Sequence, residues 1–164
     1  MKPYRATAAR IIHAAPEKVY AILADYRNGH PNILPKAHFS LIEVEKGGVG
    51  AGTIIRFQMK VLGKIQNYRA SITEPVPGHR LDEIYSEPEG IVTRFVVQPF
   101  ANDQQSKVTI ITEGPTTRIG VAGWLERVVA GHYLRRIFKQ ELNLLAELAE
   151  GQVSQSQPAC KDAG

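Results

Sequence analysis

Apolar and polar residues alternate along the middle of the chain, between residues 38 and 113. The alternation is clearest in residues 55–61, where every second side chain is apolar, and it recurs around Tyr68, Ala70 and Ile72 and around Phe95 and Val97. Clusters of Gly, Pro, Asn and Asp separate these runs, as turn residues separate neighbouring strands. The pattern therefore predicts an antiparallel meander of six strands with one buried and one solvated face.

Helical patterns flank the predicted meander. Residues 4–13 are predicted to form a first strand, and a helix is predicted to begin at Pro16, because proline suits the first helical position. A second short helix or turn is expected near residues 32–34. The segment from about Thr117 to Glu150 has helical periodicity, and its apolar stripe comprises Leu134, Phe138, Leu142, Leu145 and Ala149.

The order of these elements predicts one α+β domain over residues 1–150. It consists of a strand, two short helices, six further strands and a long helix that closes the domain. Residues 151–164 are rich in Gln, Ser, Ala and Gly, so a disordered tail is expected there. With 164 residues in all, the chain is long enough for one domain to bury a substantial core.

Composition excludes several classes of protein. The longest apolar run, Ile119 to Leu125, is too short to span a membrane, so no integral membrane association is predicted. No apolar signal segment is evident near Arg5 and Arg10, and we expect a cytoplasmic protein. The single cysteine, Cys160, excludes an intrachain disulfide and a cysteine-based metal site.

The net charge of +4 is a mild excess of basic over acidic residues. The densest basic group, Arg135, Arg136 and Lys139, shares its predicted helix with Glu141 and Glu147. That mixture favours a solvated helix face over a nucleic-acid or acidic-lipid patch, and no nucleic-acid partner is predicted.

Several segments, taken in order, resemble the START-like superfamily, which includes polyketide cyclase/dehydrase-like proteins and relatives of the birch-pollen allergen. Residues 12–25, IHAAPEKVYAILAD, resemble the start of that superfamily's domain. The resemblance extends over residues 4–149. Its other motifs are the Gly-rich turn at 48–52, the segments 74–81 and 95–99, and the helix end at 141–145.

The resemblance implies a helix-grip fold, in which a curved sheet wraps a long helix and leaves an apolar cavity between them. Members bind lipids, sterols, polyketides or hormones, and a minority catalyse cyclisation or dehydration. The superfamily has no shared catalytic motif to transfer, so the resemblance assigns no catalytic residue. Many relatives carry a tryptophan just after the first helix, where this chain has His30 and Pro31.

The long helix predicts where such a cavity lies. Extending its apolar stripe towards the N-terminus, at 100° per residue, reaches Gly120, Gly123, Trp124, Arg127 and Gly131. Glycines opposite an apolar sheet face leave space unfilled, which indicates a ligand cavity. Across it we expect the sheet residues Phe57, Met59, Tyr68, Tyr85, Phe95 and Val97.

Arg127 falls on this predicted inner face, among small and apolar residues. A buried guanidinium needs an anionic partner, so Arg127 is a candidate clamp for a ligand carboxylate, phosphate or enolate at the cavity mouth. In the alternative, Arg127 meets water or a structural glutamate.

Other candidate groups for chemistry are few. Tyr68 and Tyr85 can point hydroxyls into the cavity, although most strand tyrosines simply pack. Glu83 and Glu113 are candidate general bases if buried, although strand carboxylates are usually solvated. The five histidines lack metal-ligand spacing and no nucleotide-binding loop is present, so neither metal nor cofactor is expected.

The sequence leaves three functions open. The preferred one is binding of a small hydrophobic or amphipathic molecule, lipid-like or polyketide-like. One alternative is a cyclase or dehydratase that uses Arg127, Tyr68 and a carboxylate, which a buried acid–base pair at the cavity wall would favour. The other is an interaction module whose outer sheet face, including Val92 and Val96, docks a partner or a second copy of the chain. The oligomeric state is not indicated.

Overall fold

The computed structural model of the protein describes residues 3–61, 63–116 and 120–154. Seven strands form one antiparallel sheet, and a long helix packs against it. The predicted α+β helix-grip fold is confirmed. The elements are β1 (Tyr4–Ile12), α1 (Pro16–Ala24), a 3-10 helix (His30–Asn32), β2 (Phe39–Lys46), β3 (Ile54–Val61), β4 (Lys64–Val76), β5 (Arg80–Glu87), β6 (Glu89–Phe100), β7 (Gln105–Gly114) and α2 (Gly120–Ser154).

The strands follow the spatial order β1-β7-β6-β5-β4-β3-β2. Strands β2 to β7 form the predicted meander, and β1 pairs antiparallel with β7 along its whole length, from Tyr4 opposite Gly114 to Ile12 opposite Ser106. β1 and β2 are therefore the two edges, and the segment containing α1 and the 3-10 helix connects them.

The inner face of the sheet and one stripe of α2 form the core. Tyr68, Ala70 and Ile72 of β4 all point inwards, as their period of two predicts. Leu142 and Leu145 of α2 are almost completely buried against the sheet. Charged side chains cover the outer face, with Asp82 paired to Arg80 at 2.6 Å and Glu113 paired to Arg94 at 2.7 Å.

The turn after α1 brings the 3-10 helix under the sheet. α1 begins with Pro16, as predicted, and ends at Ala24. The Asp25 carboxylate then accepts hydrogen bonds from the backbone N–H groups of Arg27 (2.9 Å) and Asn28 (3.0 Å). This short side-chain cap reverses the chain and leaves His30 buried.

α2 has 35 residues and continues to Ser154, so the first residues of the predicted tail are helical. The rest of that tail, from residue 155 on, and the predicted helix start at Thr117 lie outside the described residues. Among the helices that the structure describes, none is long and apolar enough to cross a membrane.

Candidate functional site

An apolar cavity of about 70 Å³ lies between the inner face of the sheet and the middle of α2. Phe57, Met59, Tyr68, Tyr85 and Phe95 line it, and all five are among the residues predicted from strand periodicity. α2 contributes Leu134, Phe138 and Glu141, and the segment after α1 contributes Tyr26, His30 and Pro31.

A larger space of about 530 Å³ lies beside this inner cavity, towards the N-terminal half of α2. We call it the outer chamber. Its helix wall includes Ala122, Leu125, Val129 and Tyr133, and its sheet wall includes Val61 and Gln66. The two spaces share walls, because Tyr4, Tyr68, Ile91 and Leu134 line both. Together they have the dimensions of a site for a small organic molecule.

Polar groups gather at the inner end of the cavity, around the carboxylate of Glu83. Tyr26 donates a hydrogen bond from its hydroxyl to Glu83 Oε1 at 2.8 Å, and Tyr85 donates one to Oε2 at 2.7 Å. All three side chains are buried. Burial, reinforced by the charge of Glu83, raises the pKa of both tyrosines well above that of a free tyrosine, so both stay neutral donors.

His30 completes this cluster. Its ring stacks on Tyr26 with centroids 4.4 Å apart and meets the Phe95 ring edge-on at 5.3 Å. Nδ1 lies 2.7 Å from the carbonyl oxygen of Leu23. A carbonyl oxygen only accepts, so Nδ1 carries the hydrogen. Nε2, 3.7 Å from Glu83 Oε1, is therefore the ring nitrogen that carries the free lone pair in the cavity.

Glu141 is a second carboxyl group in the cavity wall and is 2% exposed. Burial, followed by the nearby negative charge of Glu83, raises the pKa of Glu141 well above its ordinary value. The surroundings therefore favour the protonated form of Glu141, which has a proton to donate. The cavity thus joins an acid, a histidine and a carboxylate at the end of an apolar space.

An aromatic wall leads from this cluster to the outer chamber. The rings of Phe57 and Tyr68 stack in parallel, 5.2 Å apart, and Tyr85 meets Tyr68 edge-on at 5.9 Å. The Tyr68 hydroxyl donates to Gln66 at 2.8 Å, at the chamber side. Tyr68 therefore separates the two spaces rather than serving the inner polar cluster.

The structure corrects the predicted helix face. The α2 residues at the cavity are Leu134, Phe138 and Glu141, not the predicted glycine stretch. Trp124, Arg127 and Gly131 line a separate surface groove beside β1, so Arg127 is not at the cavity mouth. The remaining predicted residues are also elsewhere: Gly123 is buried in α2 away from both spaces, Gly120 is exposed, and Val97 packs in the core.

Close approach of β1 explains the glycine at position 131. A Cβ atom there would lie 3.2 Å from the backbone oxygen of Arg5, tighter than ordinary van der Waals contact. Gly120 has φ +72°, a left-handed conformation that glycine adopts readily. These two glycines thus meet backbone requirements and do not leave a void for a ligand.

The two candidate strand carboxylates have different surroundings. Glu83 faces the cavity, whereas Glu113 lies on the outer face of the sheet. The hydrogen bond from Arg94 lowers the pKa of Glu113, which makes it a structural carboxylate rather than a base for cavity chemistry.

Sequence reasoning missed Tyr26, His30 and Glu141 as site residues. Glu141 follows Leu134 by seven residues, two helical turns, so the stripe itself places Glu141 on the inner face. By the resemblance described above, His30 and Pro31 lie near a position where many relatives carry tryptophan, which was a second signal. In the described part of the chain, no cluster of three or more His, Cys, Asp or Glu residues could hold a metal ion.

Comparisons with known proteins agree with this architecture. A family profile described as "Polyketide cyclase / dehydrase and lipid transport" matches residues 3–150. A comparison with curated proteins found no match. Among solved structures, the KanY protein, determined by NMR, is 30% identical, with a TM-score of 0.78 over 92% of this chain and 100% of its own.

Two more distant structures share the fold. The Zhui aromatase/cyclase from Streptomyces sp. R1128 is 16% identical, with a TM-score of 0.73 over 98% of this chain and 99% of its own. A protein of Thermus thermophilus is 22% identical, with a TM-score of 0.69 over 93% and 99% of the two chains. With the profile match over almost its whole described length, the chain belongs to the polyketide cyclase/dehydrase and lipid transport family.

Proposed function

We propose that the protein binds a small apolar or amphipathic molecule, with its body in the outer chamber and an uncharged polar group in the inner cavity. The observation that carries this proposal is an apolar space that ends on a buried cluster of hydrogen-bonding groups. Such sites use apolar walls for affinity and a few convergent polar groups for orientation. Family membership supports a ligand-binding role without identifying the ligand.

The charge of the site favours a neutral ligand. No lysine or arginine is among the described residues that line either space, while Glu83 and Glu141 both face the inner cavity. An anionic group there would meet the Glu83 carboxylate at low dielectric and without a counterion. A carbonyl group suits the cavity better, because protonated Glu141 can donate to its oxygen. This replaces the acidic ligand head expected from the sequence.

The size of the inner cavity sets which part of a ligand enters it. About 70 Å³ holds a small functional group but not a fused ring system. The outer chamber, at about 530 Å³, is large enough for such a ring system. A ligand with a small polar group and a ring system would enter with the polar group first. Its ring system would then pack near Tyr68 and Leu134.

Calorimetric titration with two ligands of similar shape tests the proposal. At neutral pH, 2-acetylnaphthalene should bind at least about tenfold more tightly than 2-naphthoate, a difference of about 1.4 kcal/mol. Glu83→Gln should narrow that preference, because it removes the charge that repels the anion. Glu113→Gln, on the outer face, is the matched control and should preserve the preference. Equal affinities, or a preference for naphthoate, would contradict a site for neutral ligands.

Proton-transfer catalysis on the bound ligand is a second candidate function, as in a cyclase or dehydratase. The observation that favours it is that His30 and Glu141, whose burial favours its protonated form, line the same cavity. Nε2 can remove a proton from the carbon beside a ligand carbonyl while Glu141 donates its proton to the carbonyl oxygen, which gives the enol. The reverse transfer restores the ketone.

Deuterium exchange tests this candidate without a known substrate. In D₂O, the protein should accelerate exchange at the methyl group of 2-acetylnaphthalene, followed by NMR. Glu141→Gln should lower the acceleration by at least about 100-fold, within the usual range for loss of a general acid or base. Glu147→Gln, an exposed change on the same helix, is the control. Binding without exchange would leave the protein a binder and exclude this chemistry on that ketone.

The hypothesis of an interaction module has less structural support than the two cavity functions. It requires an exposed apolar patch on the outer sheet face. Val92 and Val96 are only partly buried there, but the intervening Arg94 pairs with Glu113 and lies close to Asp82. That face is thus largely a network of charges.

A further inference from the structure

The N-terminal half of α2 presents apolar side chains to solvent. Val121, Trp124, Leu125, Val128 and Val129 are between 40% and 82% exposed. Soluble proteins rarely leave neighbouring large apolar residues exposed unless the patch contacts another surface. The sheet that buries the second half of the helix does not cover these residues.

Basic residues continue the same face of α2. Spacing of three, four and seven residues places His132, Arg135 and Lys139 in line with Val121, Trp124 and Val128, and Arg136 lies beside them. All four basic or titratable side chains are exposed. The outer face of the helix is therefore apolar at its N-terminal end and basic in its middle.

A surface groove of about 420 Å³ separates this face from the start of β1. Arg5, Arg127, His132 and Arg135 line it together with Trp124, and no acidic residue is among its described lining residues. The ion pairs between described residues include neither Arg127 nor Arg135. Among these ion pairs of described residues, Arg5 takes part in one, with Glu113 at 3.6 Å. The groove thus offers guanidinium groups beside exposed apolar surface.

We propose that this face of α2 and its groove dock on an anionic lipid bilayer. Tryptophan and aliphatic side chains enter the membrane interface, while arginines hold lipid phosphate and carboxylate groups with charge-assisted hydrogen bonds. The proposal depends on finding apolar and basic residues side by side. The basic cluster by itself indicated only a solvated helix face. The proposal is independent of ligand binding in the cavity.

A bilayer suits this surface better than a second copy of the chain. A symmetric contact through the groove would bring Arg127 and Arg135 of two copies together, and like charges across an interface oppose association. Leu125 and Val129 also line the outer chamber, so docking brings the chamber entrance to the membrane surface. An apolar ligand dissolved in the bilayer would then have a short path to the cavity.

Trp124 is the chain's single tryptophan and reports directly on this surface. Vesicles of equimolar phosphatidylcholine and phosphatidylserine should shift its fluorescence to shorter wavelength and co-sediment with the protein. Vesicles of phosphatidylcholine alone should bind at least about tenfold more weakly, because each basic residue near an anionic surface contributes about 1 kcal/mol. Inorganic phosphate alone should not produce the shift.

Two matched double variants distinguish binding through this surface from general attraction by the net charge of the protein. Arg127→Gln/Arg135→Gln should weaken vesicle binding at least about tenfold, by the same contribution per basic residue. Lys36→Gln/Lys107→Gln removes two exposed charges elsewhere and should bind nearly as the wild type does. Circular dichroism verifies that each variant is folded.

Several results would overturn the proposal. One is the absence of both the shift and co-sedimentation with anionic vesicles. Another is equal loss in the two double variants, which indicates general attraction by net charge. A shift produced by inorganic phosphate without vesicle binding would indicate a site for free anions. A shift that grows with protein concentration without lipid, together with a dimer mass, would indicate an interface between copies.

Discussion

The two halves of α2 differ in what surrounds them. In the second half, Leu142, Leu145 and Ala149 are almost fully buried by the sheet. In the first half, Val121, Trp124 and their neighbours face solvent, and other side chains line the outer chamber. The sheet therefore covers the C-terminal half of α2, which we call the gripped half, more fully than the N-terminal half, which we call the free half. The gripped half supplies stability, and the free half lines the outer chamber.

A pair of leucine substitutions should show this contrast most strongly. Leu145→Ala removes a fully buried side chain and should lower the free energy of unfolding by about 2–5 kcal/mol. Leu125→Ala removes a side chain that is 54% exposed, and we expect a loss of roughly 0.5 kcal/mol or less. Urea unfolding at neutral pH measures both. Similar losses would mean that the sheet covers both halves in solution.

The buried acid of the gripped half should make stability depend on pH. Glu141 has a raised pKa in the folded protein and an ordinary pKa near 4.5 when unfolded. Between these values the folded state binds more protons than the unfolded state. Stability is therefore full below pH 4.5 and falls as pH rises through the folded pKa, by up to about 1.4 kcal/mol per pH unit.

Urea unfolding between pH 5 and 8 of the wild type and two glutamine variants measures this effect. Glu141→Gln should flatten the decline, because a glutamine stays neutral at every pH. Glu147→Gln, an exposed change on the same helix, should keep it. A wild-type decline that persists in Glu141→Gln would assign the proton to another group.

Much of the fold could be predicted because its signals are local. Strand residues such as Phe57 and Phe95 alternate with polar neighbours, and a period of two assigns each to a face without knowledge of its partners. The stripe around Leu142 identified the gripped face of α2 in the same way. The strand residues of the cavity followed, since they lie on the same inner face.

The inner polar cluster depended on contacts that local patterns do not encode. Glu83, Tyr26 and His30 come together only because the turn after α1 folds beneath β5. A single histidine or a single strand glutamate in the sequence does not indicate that the two side chains come into contact. The raised pKa of Glu141 likewise follows from burial beside Glu83, which is a property of the assembled fold.

In the free half of α2, the prediction of the cavity-facing residues from helical periodicity was wrong for another reason. Its large apolar residues, from Val121 to Val129, form a stripe of their own that stays exposed, so apolar character does not mark the face towards the sheet there. The glycines of this half were therefore predicted, wrongly, to line the ligand cavity. Contact between Gly131 and β1, a long-range feature, gives the physical reason for one of them.

The smallest expected effect tests that account of Gly131. Alanine in a helix is favoured over glycine by about 1 kcal/mol, so a helical glycine with free space should gain stability when replaced. At Gly151 a methyl group would have nothing within 4 Å, whereas at Gly131 it would meet the Arg5 carbonyl oxygen at 3.2 Å. The backbone of β1, held in register against β7, yields less readily than a flexible side chain. Gly151→Ala should therefore stabilise the protein by up to about 1 kcal/mol in thermal or urea unfolding, and Gly131→Ala should gain nothing or lose stability. Equal gains in the two variants would show that β1 does not press on the helix there, and the glycine at 131 would again need an explanation from the free half of α2.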